Sequence, residues 1–204
     1  MEKIESHFDD MYRLFSSEDF LQRKGVSTEV PFFICHYKAE EQVKADGVAK
    51  LLHEKLNNSG IKALHIDLYQ LMIEKMKEMG VLEMFIERES KIRRERLLKD
   101  LRAITDPRTV VVPEISNRIK EANPRIVFLT GIGSCYPIIS ASVLLENLKD
   151  FVATVPLIMF FPGRYEQSSG NGSSLHIFGG IGGRGYYRAY DVETFIDMNK
   201  KNVQ

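Results

Sequence analysis

The sequence predicts a three-layer α/β domain with a mostly parallel sheet of about five strands, and three observations carry that reading. Residues 30–37 form an unbroken apolar run, as a strand buried on both faces requires. An amphipathic helix over 39–57 and a second strand at 61–68 follow, making a β-α-β unit whose crossover is right-handed. Between residues 125 and 190, apolar strands again alternate with turns and a helix, as in half of an open α/β sheet.

Each element has its own local justification. Residues 3–22 place Ile4, Phe8, Met11, Leu14 and Phe15 at helical spacing. No later copy of this apolar face exists, so the helix either wraps the domain or docks elsewhere. Gly25 and Ser27-Thr28 punctuate its exit. In the 39–57 helix, Val43, Val48, Leu51, Leu52 and Leu56 are expected inward, and Asn57-Asn-Ser-Gly60 stops it. Residues 69–104 read as helical with a break near Gly80 and a stripe of Met72, Met76 and Met79, most simply core. Asp106-Pro107 and Pro113 frame a connection to a short helix over about 113–122, and Asn123-Pro124 resets the chain for strand three. A helix ending in Leu144-Leu-Glu-Asn-Leu148 leads to a strand that breaks on Pro162-Gly163. Residues 175–178 and 186–190 are expected to pair as the last strands. The chain is read as one domain over 1–204, with 1–28 as an N-terminal helical appendage and 69–122 as a helical insertion.

Composition limits function. Lys plus Arg and Asp plus Glu both number 28, so no global field recruits nucleic acid. The longest apolar run is far short of the ~20 residues of a membrane span. The N-terminus is charged and carries no signal pattern. Cys35 and Cys135 lie in or beside apolar strands without metal-ligand spacing, which suggests buried reduced thiols in a cytoplasmic protein.

The turns at the strand ends bear on chemistry. A glycine turn such as Gly131-Ile-Gly133-Ser-Cys-Tyr136-Pro137 can point backbone N–H groups at a phosphate. A Walker A loop also needs a lysine, and none follows until Lys149. A dinucleotide fingerprint needs a third glycine where Tyr136 stands. The scaffold is therefore P-loop-like or Rossmann-like without a Walker A lysine. The turn is either structural or a degenerate nucleotide site that would include Asp67.

Pro162-Gly163-Arg164-Tyr165 is read as a tight turn with glycine at positive φ, where Arg164 and the aromatic tips Tyr165 and Tyr136 favour an interface. Along 186–190, Tyr186, Arg188 and Tyr190 share one face while Tyr187 and Ala189 take the other; Arg188 is a surface charge or an ion partner. His36, His65 and His176, with Asp67, are the residues to test for a metal, but no local spacing supports one and none is expected. No G-x-S-x-G surrounds Ser134, and no base is placed beside Cys135, so no catalytic residue is assigned. The segment 87–102 carries seven basic residues against four acids, and Glu87–Lys91, Glu89–Arg93 and Glu95–Lys99 are expected to pair at i,i+4. It is a solvated or partner-docking face, or a DNA contact.

These motifs, in order, resemble the BrxB family of bacterial BREX phage-defence systems. The similarity rests on Thr130-Gly131-x-Gly133-x-x-Tyr136-Pro137, Leu144-Leu-x-Asn147-Leu148, Phe160-Phe-Pro162-Gly163, Leu175-x-x-Phe178-Gly179 and Tyr186-Tyr187-Arg188-Ala189, with residues 30–34 and Ile66-Asp67-Leu-Tyr69 also fitting. The resemblance implies a small cytoplasmic, non-enzymatic component with no cofactor. Its implied partners are a PglZ phosphatase-like protein and other BREX components, among them a DNA methyltransferase and a large ATPase. The alternatives are a nucleotide sensor that binds without hydrolysis and a DNA-binding accessory protein.

Overall fold

The structure is a computed structural model that describes residues 4–24, 32–149, 151–152, 155–168, 172–182 and 189–202. A 3₁₀ turn, Ile4–His7, opens the chain, followed by α1 (Phe8–Ser16) and α2 (Glu18–Leu21), where the Ser17 side chain accepts from the Phe20 amide and caps the second helix. Next come β1 (Phe32–Tyr37), α3 (Gln42–Asn58), β2 (Ala63–Asp67), α4 (Leu68–Glu78), α5 (Leu82–Glu89) and α6 (Arg94–Ile104). A π-helical turn, Pro107–Val111, leads into α7 (Val112–Ala122), β3 (Ile126–Thr130), the single turn α8 (Ile132–Cys135) and α9 (Ala141–Leu148). The remaining elements are β4 (Leu157–Ser168), β5 (Gly172–Ile177), β6 (Ile181–Gly182), β7 (Tyr190–Asp191) and α10 (Val192–Asn202).

Five strands run parallel in the order β2-β3-β4-β1-β7, and β4 extends to pair antiparallel with β5, which pairs with β6. The mixed α/β class and the mostly parallel sheet agree with the sequence expectation. The strand order does not follow from it: β1 and β2 are consecutive in the chain yet stand two strands apart. At 17 residues α3 is about 25 Å long, enough to carry the chain across β4 and β3. Travel then reverses from β2 back to β3 and β4, and the crossover helices change face. A right-handed connection that reverses direction must do so.

The sheet therefore separates two cores. Ile126 and Phe128 of β3, Ile158 and Phe160 of β4, and Phe33, Cys35 and Tyr37 of β1 face α1, α2, α3 and α10. Their neighbours Val127, Leu129, Leu157, Met159, Phe32 and Ile34 face α4, α7 and α9. This period-two division explains why β3 and the first half of β4 are continuous apolar runs. The N-terminal helices wrap the first core: Phe15 meets Phe128 with ring centroids 5.6 Å apart, Phe20 meets Phe33 at 4.6 Å, and Glu18 pairs with Arg125.

Several local expectations are corrected. In α3 the inward stripe is Ala45, Val48, Ala49, Leu52 and Leu56, whereas Val43 is 84% and Leu51 55% exposed. Met72 and Met76 are core, but Met79 lies past the end of α4 and is exposed. The charged segment is two helices rather than one. Glu87–Lys91 and Glu89–Arg93 straddle the break at 90–93, and Arg96 and Arg88 instead reach Asp100, at 3.2 and 3.9 Å. The 175–178 strand pairs with β4 and β6, while Tyr190 and Asp191 join β1 in the parallel sheet.

Candidate functional site

Ligands of open α/β sheets bind outside the carboxyl ends of the strands, and most of the singled-out turns lie there. Gly131 ends β3 at φ +78°, and a Cβ at this position would lie 2.6 Å from Asp67 Oδ1 and 2.9 Å from the Tyr69 amide nitrogen. Asp67 is itself the cap of α4, its Oδ1 accepting from the Tyr69 and Gln70 amides at 2.9 and 3.0 Å. The glycine thus lets β3 abut the N-terminus of α4, and a carboxylate already satisfies those amides. Gly133 is enclosed as well: a Cβ there would meet Pro162 Cγ at 2.8 Å, Gln42 Oε1 at 3.2 Å and Phe178 Cε1 at 3.4 Å. The space a phosphate would need beside this turn is filled by side chains.

Beneath it lies a polar network that the sequence did not reveal. The Tyr37 hydroxyl donates to Gln42 Oε1 at 2.8 Å, and Gln42 Nε2 donates to both Asp46 oxygens at 2.9 Å. His65 Nε2 and Thr130 Oγ1 are 2.9 Å apart. Burial raises the Asp46 carboxyl above its usual range, and the Asp67 charge adds to this. Burial and the nearby His53 lower His65, favouring its neutral form. Burial also raises both thiols, that of Cys135 to about 12, so each stays protonated and is a poor nucleophile.

Pro162-Gly163 is not a turn. β4 runs through it to Ser168, and Gly163 is extended, paired with Ile177. Glycine is required by close approach: a Cβ would lie 2.1 Å from the His176 carbonyl oxygen. Because the strand continues, Tyr165 points inward. It is 7% exposed, and its hydroxyl donates to the Ala189 carbonyl at 2.5 Å. Tyr165 is therefore a core residue rather than an aromatic tip. Arg164 stays exposed, with its guanidinium donating to the Gly179 carbonyl at 2.7 Å.

Tyr136 does remain at the surface edge, and its partner is Phe178, which the sequence placed in a strand with no contact role. Phe178 is 48% exposed, has φ +51°, and stands edge-on to Tyr136 with centroids 5.9 Å apart. Left-handed backbone is rare for a bulky side chain. Here it is imposed by the β5–β6 turn, where the Phe178 amide donates to the Pro162 carbonyl at 2.8 Å. The Tyr136-Pro137 bond is cis, and Arg102 of α6 donates twice to the Pro137 carbonyl, at 3.1 and 2.7 Å. Asp67, Gly131, Gly133, Tyr136, Pro137, Pro162, Gly163 and Arg164 thus gather at the carboxyl end of the sheet, while Tyr187 and Arg188 lie outside the described residues.

The three histidines named in the sequence do not converge, because β3 and β4 stand between β1 and β2 and His176 lies on the hairpin. His36 instead meets two acids from the last parallel strand and its helix: Nε2 is 3.5 Å from Asp191 Oδ2 and 3.7 Å from Glu193 Oε2. Asp191-x-Glu193 was the available signal, and nothing local linked it to His36.

The family model described as BREX protein BrxB matches residues 64–192. A relative from Bacillus cereus (strain H3081.97), named BREX protein BrxB, is 33% identical over 196 residues, covering 94% of this chain and 98% of its own. One of the same name from Escherichia coli O9:H4 (strain HS) is 26% identical over 187 residues, covering 92% and 90%. No solved structure matches the chain.

Proposed function

Because the chain belongs to the BrxB family, we propose that it is a BREX anti-phage component that works in the cytoplasm as a non-enzymatic adaptor. In this reading it binds the PglZ phosphatase-like protein and supports host DNA methylation and phage exclusion by the assembled system. No described helix is long and apolar enough to cross a membrane.

The observation that carries the adaptor reading is Phe178. An exposed ring, held at a sterically costly backbone angle beside Tyr136 and Arg164 at the carboxyl end of the sheet, has the character of an interface anchor. The same ring helps to fill the turn where a nucleotide phosphate would sit, and Asp67 places negative charge there. Both features weigh against the nucleotide-sensor reading. The DNA reading is weakened by the split of the charged segment into two short helices and by Asp100 drawing on Arg88 and Arg96.

The test is co-expression with the PglZ-like protein, then size-exclusion chromatography with light scattering. Phe178→Asn removes the ring and suits the left-handed backbone. Loss of an anchor of this kind weakens binding by roughly 30-fold or more, so the parent co-elutes and the variant separates. Separate peaks for the parent would overturn the adaptor reading. Equal co-elution of both would remove the Phe178 surface from the interface.

A further inference from the structure

We infer that His36, Asp191 and Glu193 form a binding site for a divalent transition cation, of the zinc or manganese class, that fastens the C-terminal β7–α10 unit to the centre of the sheet. His36 lies on the same face of β1 as Ile34, and Asp191 ends the neighbouring β7, paired in register with Ile34. Glu193 follows in the first turn of α10. One ligating atom from each residue lies within 4.8 Å of the others.

The spacing suits a shared cation better than a hydrogen bond. His36 Nε2 stands 3.5 and 3.7 Å from the two carboxylate oxygens, beyond the roughly 2.7–3.2 Å of an N–H···O bond. Atoms bound tetrahedrally at about 2.0–2.2 Å from zinc lie about 3.2–3.6 Å from one another. The His36 side chain is nine-tenths buried, at 10% exposure, and among the described residues its Nδ1 has no hydrogen-bond partner, so its polar contacts are the two carboxylates at Nε2. A buried imidazole with only long contacts is poorly satisfied as a structural residue, and imidazole is the commonest protein ligand for such metals.

The surroundings fit. Asp191 Oδ1 accepts from the Glu193 amide at 3.1 Å, which orients the carboxylate and leaves Oδ2 toward His36. Beside His36 and Glu193 is a cleft of ≈ 20 Å³, lined also by His7, Tyr37 and mostly apolar side chains, with room for one water. Glu193 is 43% exposed and gives the cation access from solvent. One imidazole with two carboxylates favours zinc or manganese over the all-oxygen sites of magnesium and calcium. β7 spans only two residues, so a cation bridging β1, β7 and α10 would supply what so short a strand cannot.

The experiment is calorimetric titration of chelator-treated, tag-free protein with zinc chloride, repeated with manganese and magnesium chloride. One site per chain is expected for zinc or manganese, and no heat for magnesium. Glu193→Gln keeps size and packing and should weaken affinity roughly 10–100-fold. At a hundredfold excess over Kd the parent's thermal midpoint should rise by about 5–10 °C, with little rise in the variant. Cobalt(II) in place of zinc should give the visible absorption of a low-symmetry site in the parent alone. Absence of binding, or a Glu193→Gln variant that binds and absorbs like the parent, would overturn the site.

Discussion

Replacing Gly131 by alanine tests whether the glycine turn is a structural contact rather than a phosphate cradle. An alanine at φ +78° costs roughly 1–2 kcal/mol. Its Cβ would stand 2.6 Å from Asp67 Oδ1 and 2.9 Å from the Tyr69 nitrogen. The carboxylate must then leave its capping position, worth about 1 kcal/mol, and backbone must shift, for about 1 kcal/mol more. The reduced entropy of the unfolded chain returns about 0.5 kcal/mol. The net loss is about 3 kcal/mol, which lowers the urea midpoint by about 1 M for a slope near 3 kcal/mol/M. Asp67→Ala alone should cost about 1 kcal/mol. The double variant should cost no more than Gly131→Ala alone, because the cap is already displaced, so the cycle carries a coupling of about 1 kcal/mol. Urea unfolding followed by circular dichroism measures all four proteins. A Gly131→Ala loss below about 1 kcal/mol, or strict additivity with Asp67→Ala, would refute the reasoning.

Two further outcomes follow from individual side-chain contacts. Tyr165→Phe should lower stability by about 1 kcal/mol in urea titrations, through loss of the bond to the Ala189 carbonyl, and should leave co-elution with the PglZ-like protein unchanged. Glu114 sits between Arg118 and Lys75 at 2.9 and 3.1 Å, and the Arg118 bond, followed by Lys75, holds its carboxyl below the usual value of 4.5. Its folded-state value is depressed, so its contribution is full above pH 4.5 and disappears as pH falls through the folded value. Glu114→Gln should therefore cost about 1–2 kcal/mol at pH 7, and parent and variant should converge in acid; a gap that persists at pH 2 would contradict the linkage.

The elements and the α/β class were legible in the sequence because their signals are local. Apolar runs mark strands buried on both faces, helical spacing marked α1, flanking prolines framed α7, and Gly60 and Asn123 stop helices by chemistry contained in a few residues. The glycine turn could be denied a Walker lysine on sequence alone, since that depends on which residue is absent nearby. What the turn does instead required the fold: Asp67 is brought to Gly131, and Pro162, Gln42 and Phe178 to Gly133, by contacts across the sheet. The same holds for Pro162-Gly163. Its composition reads as a turn, yet pairing with Ile177 keeps the strand extended, buries Tyr165 and moves the exposed aromatic role to Phe178. Sequence by itself determined most of the stretches that become strands and helices and which nucleotide motifs are missing, because backbone preference and side-chain period act over a few residues. Tertiary structure alone decided the strand order, the neighbours of each glycine and the meeting of His36 with Asp191 and Glu193, because those depend on where long crossovers land and leave no periodic trace in the chain.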